Sequence, residues 1–131
     1  MICYENNMPT PVKAIADLRR SVGWNGMEKC YNNPRMASYF HIACYDDDKL
    51  VGYVDSVSNG VTDAYIQDLV VDPMYHGQGI GTELMHRIIA KLKADKIFWI
   101  SVMFDESLQD FYKRFGFHQM LSGTMQTYDI E

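Results

Sequence analysis

Several things are scarce in this 131-residue chain, and each scarcity removes a class of protein. No apolar run approaches the roughly 18–20 residues that span a bilayer, and the opening "MICYENNMPTP" lacks the basic and long apolar regions of a secretory signal. These absences lead us to expect a cytoplasmic protein with no membrane partner. Cysteine is sparse, with Cys3, Cys30 and Cys44 far apart and outside any CxxC or Cys/His spacing. Neither a disulfide framework nor a metal site is expected, and reduced thiols acting as small hydrophobes are the ordinary reading. Positive charge is also short: twelve Lys+Arg stand against seventeen Asp+Glu, for a net charge of −5. Basic residues occur only in short pieces such as "LRR" and "FYKRF", which disfavours nucleic-acid binding. Repeats, linkers and low-complexity tracts are missing as well, so one domain over 1–131 is expected.

What is present is an ordinary folding composition, 47% hydrophobic and 22% charged. "ICYEN" suits a short strand. Thr10-Pro11 reads as a helix cap and first position, leading into "VKAIADLRRSV", whose Val12, Ile15, Ala16, Leu18 and Val22 recur at helical spacing before Gly23. "WNGMEKCYNNPRM" is loop with a short helical turn. "SYFHIACY" and "LVGYVDSV", joined by "DDDK", then "DAYIQDLVV" after "SNG", make three antiparallel strands, because each connection is too short for a crossover.

"DPMYHGQGIGTELMHRIIAKL" comes next, with Gly77, Gly79 and Gly81 within five positions. Ile80, Leu84, Ile88, Ile89 and Leu92 behind them mark an amphipathic helix. "KIFWISVM" is nearly continuous apolar sequence, suited to a strand buried on both faces and parallel to its predecessor across the helix. "ESLQDFYKRFGF" reads as a second short helix ending at Gly116. "HQML" and "TMQTYDI" are two further strand candidates turning at Ser122-Gly123.

A glycine-rich turn between a strand end and a helix start leaves outward backbone N–H groups at the positive end of a helix dipole, a site for an anion such as phosphate. Two nucleotide-binding patterns fail on spacing. A phosphate loop ending in Gly-Lys-Ser/Thr would need a lysine near Gly81, where Thr82 and Glu83 stand, and a dinucleotide fingerprint has Thr82 where its third glycine belongs.

"HGQGIG" after "LVVDPMY" resembles the acyl-CoA pyrophosphate loop of the GNAT superfamily of N-acetyltransferases, [Gln/Arg]-x-x-Gly-x-[Gly/Ala]. His76 stands at the first position, while Gly79 and Gly81 match. "YIQDLVVDP" resembles that family's fourth strand, with its Leu-x-Val-x-Pro ending, and "DFYKRFGF" its C-terminal [Leu/Phe]-Tyr-x-x-x-Gly-Phe element. A looser likeness, in "LRRSVGW" and "FDESLQDFYKRFGF", is to a branch containing plant serotonin N-acetyltransferase-like proteins.

The resemblance implies a mixed α+β fold, with a mostly antiparallel sheet of about six to seven strands flanked by helices, and with strands four and five parallel and splayed. It implies acetyl-CoA as cosubstrate, no metal, and transfer to a primary amine by direct attack in a ternary complex, the acceptor most simply a small molecule. Leu69, Val70 and Val71 would pair with the pantetheine arm, while His76, Gly77, Gln78, Gly79, Ile80, Gly81 and Thr82 would surround the pyrophosphate. Val70 N–H would face the oxyanion, and Tyr112 would serve as general acid for the thiolate while also lining the cofactor site.

For the base the residues leave three options: Asp68, a water held by Gln67 and Tyr65, or His41. Asp105 stands where relatives place an Asn on the CoA arm, and would either contact that arm or cap the following helix. Tyr65, Gln67, Trp24, Tyr31 and Tyr39 are candidate walls of the acceptor cleft. Two alternatives stay open: a protein lysine or N-terminal acetyltransferase, and a non-catalytic acetyl-CoA sensor. Homodimerisation is expected, with "TMQTYDI" as a possible pairing edge.

Overall fold

The computed structural model describes residues 1–130. Five strands form one sheet in sequence order: β1 (Ile2–Asn6), β2 (Phe40–Asp46), β3 (Lys49–Ser58), β4 (Asp63–Val71) and β5 (Trp99–Val102). The first four pair antiparallel, and β4 and β5 pair in parallel, as expected across a helical crossover. Both hairpin turns have a local cause. Asp47 turns β2 into β3 at φ 52°, a conformation aspartate tolerates. Between β3 and β4, Asn59 Oδ1 accepts from the backbone N–H of Val61, Thr62 and Asp63, and Gly60 takes φ 78°.

Two helices cover opposite faces. Helix α3 (Ile80–Ala94) buries Ile80, Leu84, Met85, Ile88 and Leu92 against Ile42, Cys44, Val51, Val54, Ala64 and Ile66 of the sheet. The stripe is the expected one, except that Met85 is fully buried and Ile89 only half-buried. Helix α1 (Val12–Ser21) packs Ile15 and Leu18 on the other face, against Ala43, Leu50, Tyr53 and Val70. It starts one residue later than expected: Pro11 is its N-cap, and the Thr10 hydroxyl turns back to the Met8 carbonyl. A one-turn helix, α2 (Glu28–Tyr31), and a 3-10 turn at Pro34–Met36 follow on the same side.

Three expectations change at the C-terminal end. The sheet has five strands, because residues 118–130 form none: "HQML" and "TMQTYDI" carry strand-like composition but find no sheet edge and no face to bury against. Met120, Leu121, Met125 and Tyr128 are accordingly exposed. An isolated hairpin is at best marginal in water, which is the physical reason composition alone misleads here. With that segment off the sheet, β5 is only four residues long and is not buried on both faces, since Phe98, Trp99 and Met103 are exposed. The last helical element is a 3-10 turn (Glu106–Leu108) leading into α4 (Gln109–Lys113), closed near Gly116 at φ 94°.

Candidate active site

The site grows from one irregularity. Between the pairs Tyr53–Val70 and Asp55–Gln67, β3 advances two residues and β4 three, so β4 carries an extra residue. Asp68 sits there at φ 58°, a β-bulge that bends the strand. Pairing of β4 to β5 runs from Asp63–Trp99 to Ile66–Val102 and then stops. From Gln67 to Val71, β4 therefore has no β5 partner, and an extended ligand can add to that edge.

The bulge is pinned from α1 and α2. Arg19, only 7% exposed, brings Nη1 to 3.2 Å from Asp68 Oδ1, donates from Nε to the Asn25 carbonyl (2.7 Å), and stacks over Trp24 (5.2 Å) and Tyr31 (5.9 Å). The Tyr31 hydroxyl donates to Asp68 Oδ2 at 3.1 Å. Both oxygens of Asp68 are thus engaged, and its place is that of a residue holding the bulge. Burial pushes the Tyr31 phenol well above its ordinary value, and the nearby Asp68 charge adds to this.

Beyond the open edge the chain enters the glycine turn. Asp72 caps a 3-10 turn (Pro73–Tyr75), accepting from Met74 N–H at 2.9 Å, and pairs with Lys49 at 3.3 Å. Gly77 and Gly79 both lie at φ 79°, with nothing within 4 Å of where a Cβ would stand. Gly79 is the N-cap of α3 and offers no side chain to the first-turn amides, so these face outward unpaired. The His76 ring does not point at this space; its Nε2 donates to the Val71 carbonyl at 2.7 Å and ties the turn to the end of β4. Arg114, which sequence reading passed over, brings Nη2 to 3.4 Å from Thr82 Oγ1 beside the same helix start and stacks over Phe111. Open amides, a helix N-terminus, an arginine and a free strand edge together fit a pyrophosphate joined to an extended amide-bearing arm.

The geometry sets an expectation for the turn. Gly79→Val would force a β-branched residue into a left-handed conformation, at about 1–2 kcal/mol, and place methyls over the amides. It should lower the melting temperature and weaken binding of a pyrophosphate-bearing ligand together; a variant that binds such a ligand as the wild type does would remove the turn from the site.

Tyr112 of α4 is 5% exposed, stacked on Phe104 (4.5 Å, 17°) and edge-on to Phe111 (5.0 Å). It belongs to the core cluster that Leu69 and Val71 pack against. Burial raises its phenol, with Tyr65 as a lesser contributor.

Tyr65 and Gln67 are half-buried on the α1 side of the sheet, across the strands from exposed Val57 and Ser101. Exposed Trp99 of β5, paired with Asp63, lies on the same face. The other candidates lie elsewhere. Tyr39 donates its hydroxyl to Asp95 at the end of α3 and packs with the α3-side core. Trp24 lies over Arg19, and Asp105 precedes the 3-10 turn without a side-chain capping bond.

This arrangement agrees with a family-level match. Residues 7–117 match the model of the Acetyltransferase (GNAT) family. The chain belongs to the GNAT acetyltransferase family. It is 38% identical over 69 residues to GCN5-related N-acetyltransferase 2, chloroplastic, of Arabidopsis thaliana, covering 53% of this chain and 27% of that protein. It is 30% identical over 67 residues to serotonin N-acetyltransferase 2, chloroplastic, of Oryza sativa, covering 51% of this chain and 34% of that protein. This GNAT chain thus spans about a quarter to a third of the length of these two relatives. A probable acetyltransferase of unknown function from methicillin-resistant Staphylococcus aureus has the same fold, with TM-score 0.87 over 98% of this chain and all of that one, at 24% identity. Among the described residues, no helix is long and apolar enough to cross a membrane.

Proposed function

We propose that this chain transfers the acetyl group of acetyl-CoA to the primary amine of a small molecule, by direct attack within a ternary complex. The observation that carries this reading is the unpaired stretch of β4 beyond the Asp68 bulge, running straight into an open glycine turn at a helix N-terminus. Acetyl-CoA supplies the activated thioester. Leu69 and Val71 present backbone groups to its arm, and the amides from Gly77 to Thr82, with Arg114 beside them, take the pyrophosphate charge. Val70 N–H, expected to face the oxyanion, turns instead toward β3, because the Asp72 N–H to Val51 carbonyl bond and the Tyr53–Val70 pairing put Val70 in the ladder. The Leu69 N–H on the open edge takes that role, donating to the thioester oxygen as negative charge gathers there, which lowers the barrier because the donor is fixed in advance.

Tyr112 holds a proton for the departing sulfur. Its raised phenol stays protonated through the neutral range, so the donor is in the right state before the bond breaks. The amine enters on the α1 side, between Tyr65, Gln67 and Ser101. Exposed Val57 and Trp99 on the same side suit an acceptor with an apolar body. Nothing among the described residues closes this cleft, which favours, as second reading, a lysine side chain or N-terminus presented by a protein.

Incubation with acetyl-CoA and a panel of arylalkylamines, polyamines, aminoglycosides and lysine peptides, following thiol release, tests both readings. Turnover on small amines supports the first, and turnover on peptides alone the second. Tight acetyl-CoA binding without release would make the chain a sensor.

We also propose that two copies associate through residues 118–130 and the open edge of β5. Met120, Leu121, Met125 and Tyr128 are exposed beside an edge that ends the sheet. Sedimentation should show a dimer that removal of residues 118–131 converts to monomer; a full-length monomer at high concentration contradicts it.

A further inference from the structure

The acceptor amine arrives protonated at neutral pH and must lose a proton before it can attack, and Asp68 is committed to Arg19 and Tyr31. A different carboxylate stands nearby. Asp55 lies within β3, only 2% exposed, in the mostly apolar segment "LVGYVDSV". A charged residue is almost never so buried without a partner, and among the described residues no Lys, Arg or His forms an ion pair with this one. Its Oδ1 accepts from Ser56 N–H at 2.6 Å, and the nearby Ser38 hydroxyl favours its charged form.

The register gives the burial a purpose. Asp55 pairs with His41 on β2 and with Gln67 on β4, so the three side chains form one polar row across neighbouring strands, on the α1 side where Tyr65 also lies. From the row a path leads outward: the Ser38 hydroxyl lies 3.0 Å from His41 Nδ1, and His41 Nε2 lies 2.6 Å from the exposed Met8 carbonyl. With Nε2 donating to that carbonyl, Nδ1 can take the Ser38 proton once Asp55 is protonated and no longer accepts it.

We propose that Asp55 is the terminal base of the reaction, taking the ammonium proton through a water ordered by Gln67 and passing it through Ser38 to His41 and solvent. The proposal rests on the acetyltransferase reading above. The balance closes: the N–H bond of the ammonium breaks and an O–H bond forms on Asp55. Ser38 accepts that proton as it hands its own to His41 Nδ1, and His41 releases one to solvent. The neutral nitrogen then attacks. The second proton it sheds on acylation restores Tyr112, which has protonated the sulfur, so one proton leaves per turnover.

The groups facing Asp55 agree with such a role. Arg19 of α1 is held by Asp68; Tyr31 of α2 and Tyr53 of β3 have their phenols pushed up by burial; Asp68 of β4 adds negative charge; and the β2 side presents His41 through Ser38. Burial, aided by the Asp68 charge, raises the Asp55 carboxyl to about 7, against the opposing Ser56 N–H hydrogen bond and Ser38 hydroxyl. A base poised there changes state within the working range.

The test uses the intact chain and two readouts. Carboxyl carbon NMR of the protein without acetyl-CoA should show one aspartate titrating near 7, absent in Asp55→Asn. The pH profile of kcat/KM for the amine should rise through the same pH. Asp55→Asn should flatten that limb and lower kcat by about 10²–10⁴-fold, with acetyl-CoA affinity retained. Ser38→Ala removes a hydroxyl that favours the charged carboxylate, so it should move both the NMR titration and the kinetic limb to higher pH; this decides the matter if Asp55→Asn fails to fold. An ordinary aspartate titration, or a folded Asp55→Asn that keeps its rate and its limb, overturns the proposal. An Asp55 signal at the expected pH in a protein that turns over no amine overturns both the acetyltransferase reading and the base. Failure of the base alone leaves turnover intact.

Discussion

Tyr112→Phe should lower kcat by about 10²-fold or more while leaving acetyl-CoA binding and the melting temperature nearly unchanged. The side chain stacks on Phe104 and meets Phe111 edge-on, and a phenyl ring keeps both contacts. Only the hydroxyl is lost. Burial holds the phenol above its ordinary value, so across the neutral range it is a proton donor and never a phenolate. The wild-type profile should accordingly show no alkaline limb from Tyr112 below about pH 10. Steady-state kinetics of thiol release, with calorimetry for acetyl-CoA, separate the outcomes: lost kcat with retained affinity supports the acid role, and an unchanged kcat means that solvent protonates the sulfur.

Asp55→Asn should move stability opposite to rate. In the folded chain this carboxyl titrates at about 7, against an ordinary value of 3.8. Between those values the folded state holds a proton that the unfolded state has released. Stability from this group is therefore fully present below about pH 4 and is lost as pH rises through about 7. Above that, the wild type carries a buried charge, and the variant does not. Asn keeps an acceptor for Ser56 N–H, so its advantage at pH 8 should be on the order of 4 kcal/mol at most, from about 1.4 kcal/mol per pKa unit, shrinking to nothing near pH 4. Urea unfolding at both pH values measures this. Equal stability of the two proteins at pH 8 would mean that Asp55 carries no desolvation strain, while a variant both more stable and slower would show a polar group kept for function at a cost to the fold.

Periodicity made α1, α3, the two hairpins and the parallel crossover legible, because each signals through residues a few positions apart. The glycine turn was legible through spacing, and its structural reality lies in the left-handed Gly77 and Gly79. The bulge at Asp68 was not visible in the residues themselves, since register arises between strands; the family resemblance implied only that strands four and five splay apart. The same limit hid the Arg19–Asp68–Tyr31 cluster, which joins three elements. Asp55 did leave a trace: it is a lone acid in a strand whose neighbours are mostly apolar, and such a residue should be suspected of function before it is assigned to the surface. Residues 118–130 show the converse: strand-forming composition makes no strand where no sheet edge receives it. His76 stands where the motif has Gln or Arg, and its ring serves the end of β4.

All of this rests on one claim, that the open edge of β4 and the glycine turn together hold acetyl-CoA. Hydrogen exchange of the backbone amides, with and without acetyl-CoA, tests it most directly. Protection confined to Leu69, Val71 and Gly77–Thr82, with little change along β1 and β2, is the predicted result. Acetyl-CoA binding that leaves those amides exchanging at their free rate, or protects another surface in their place, would contradict it.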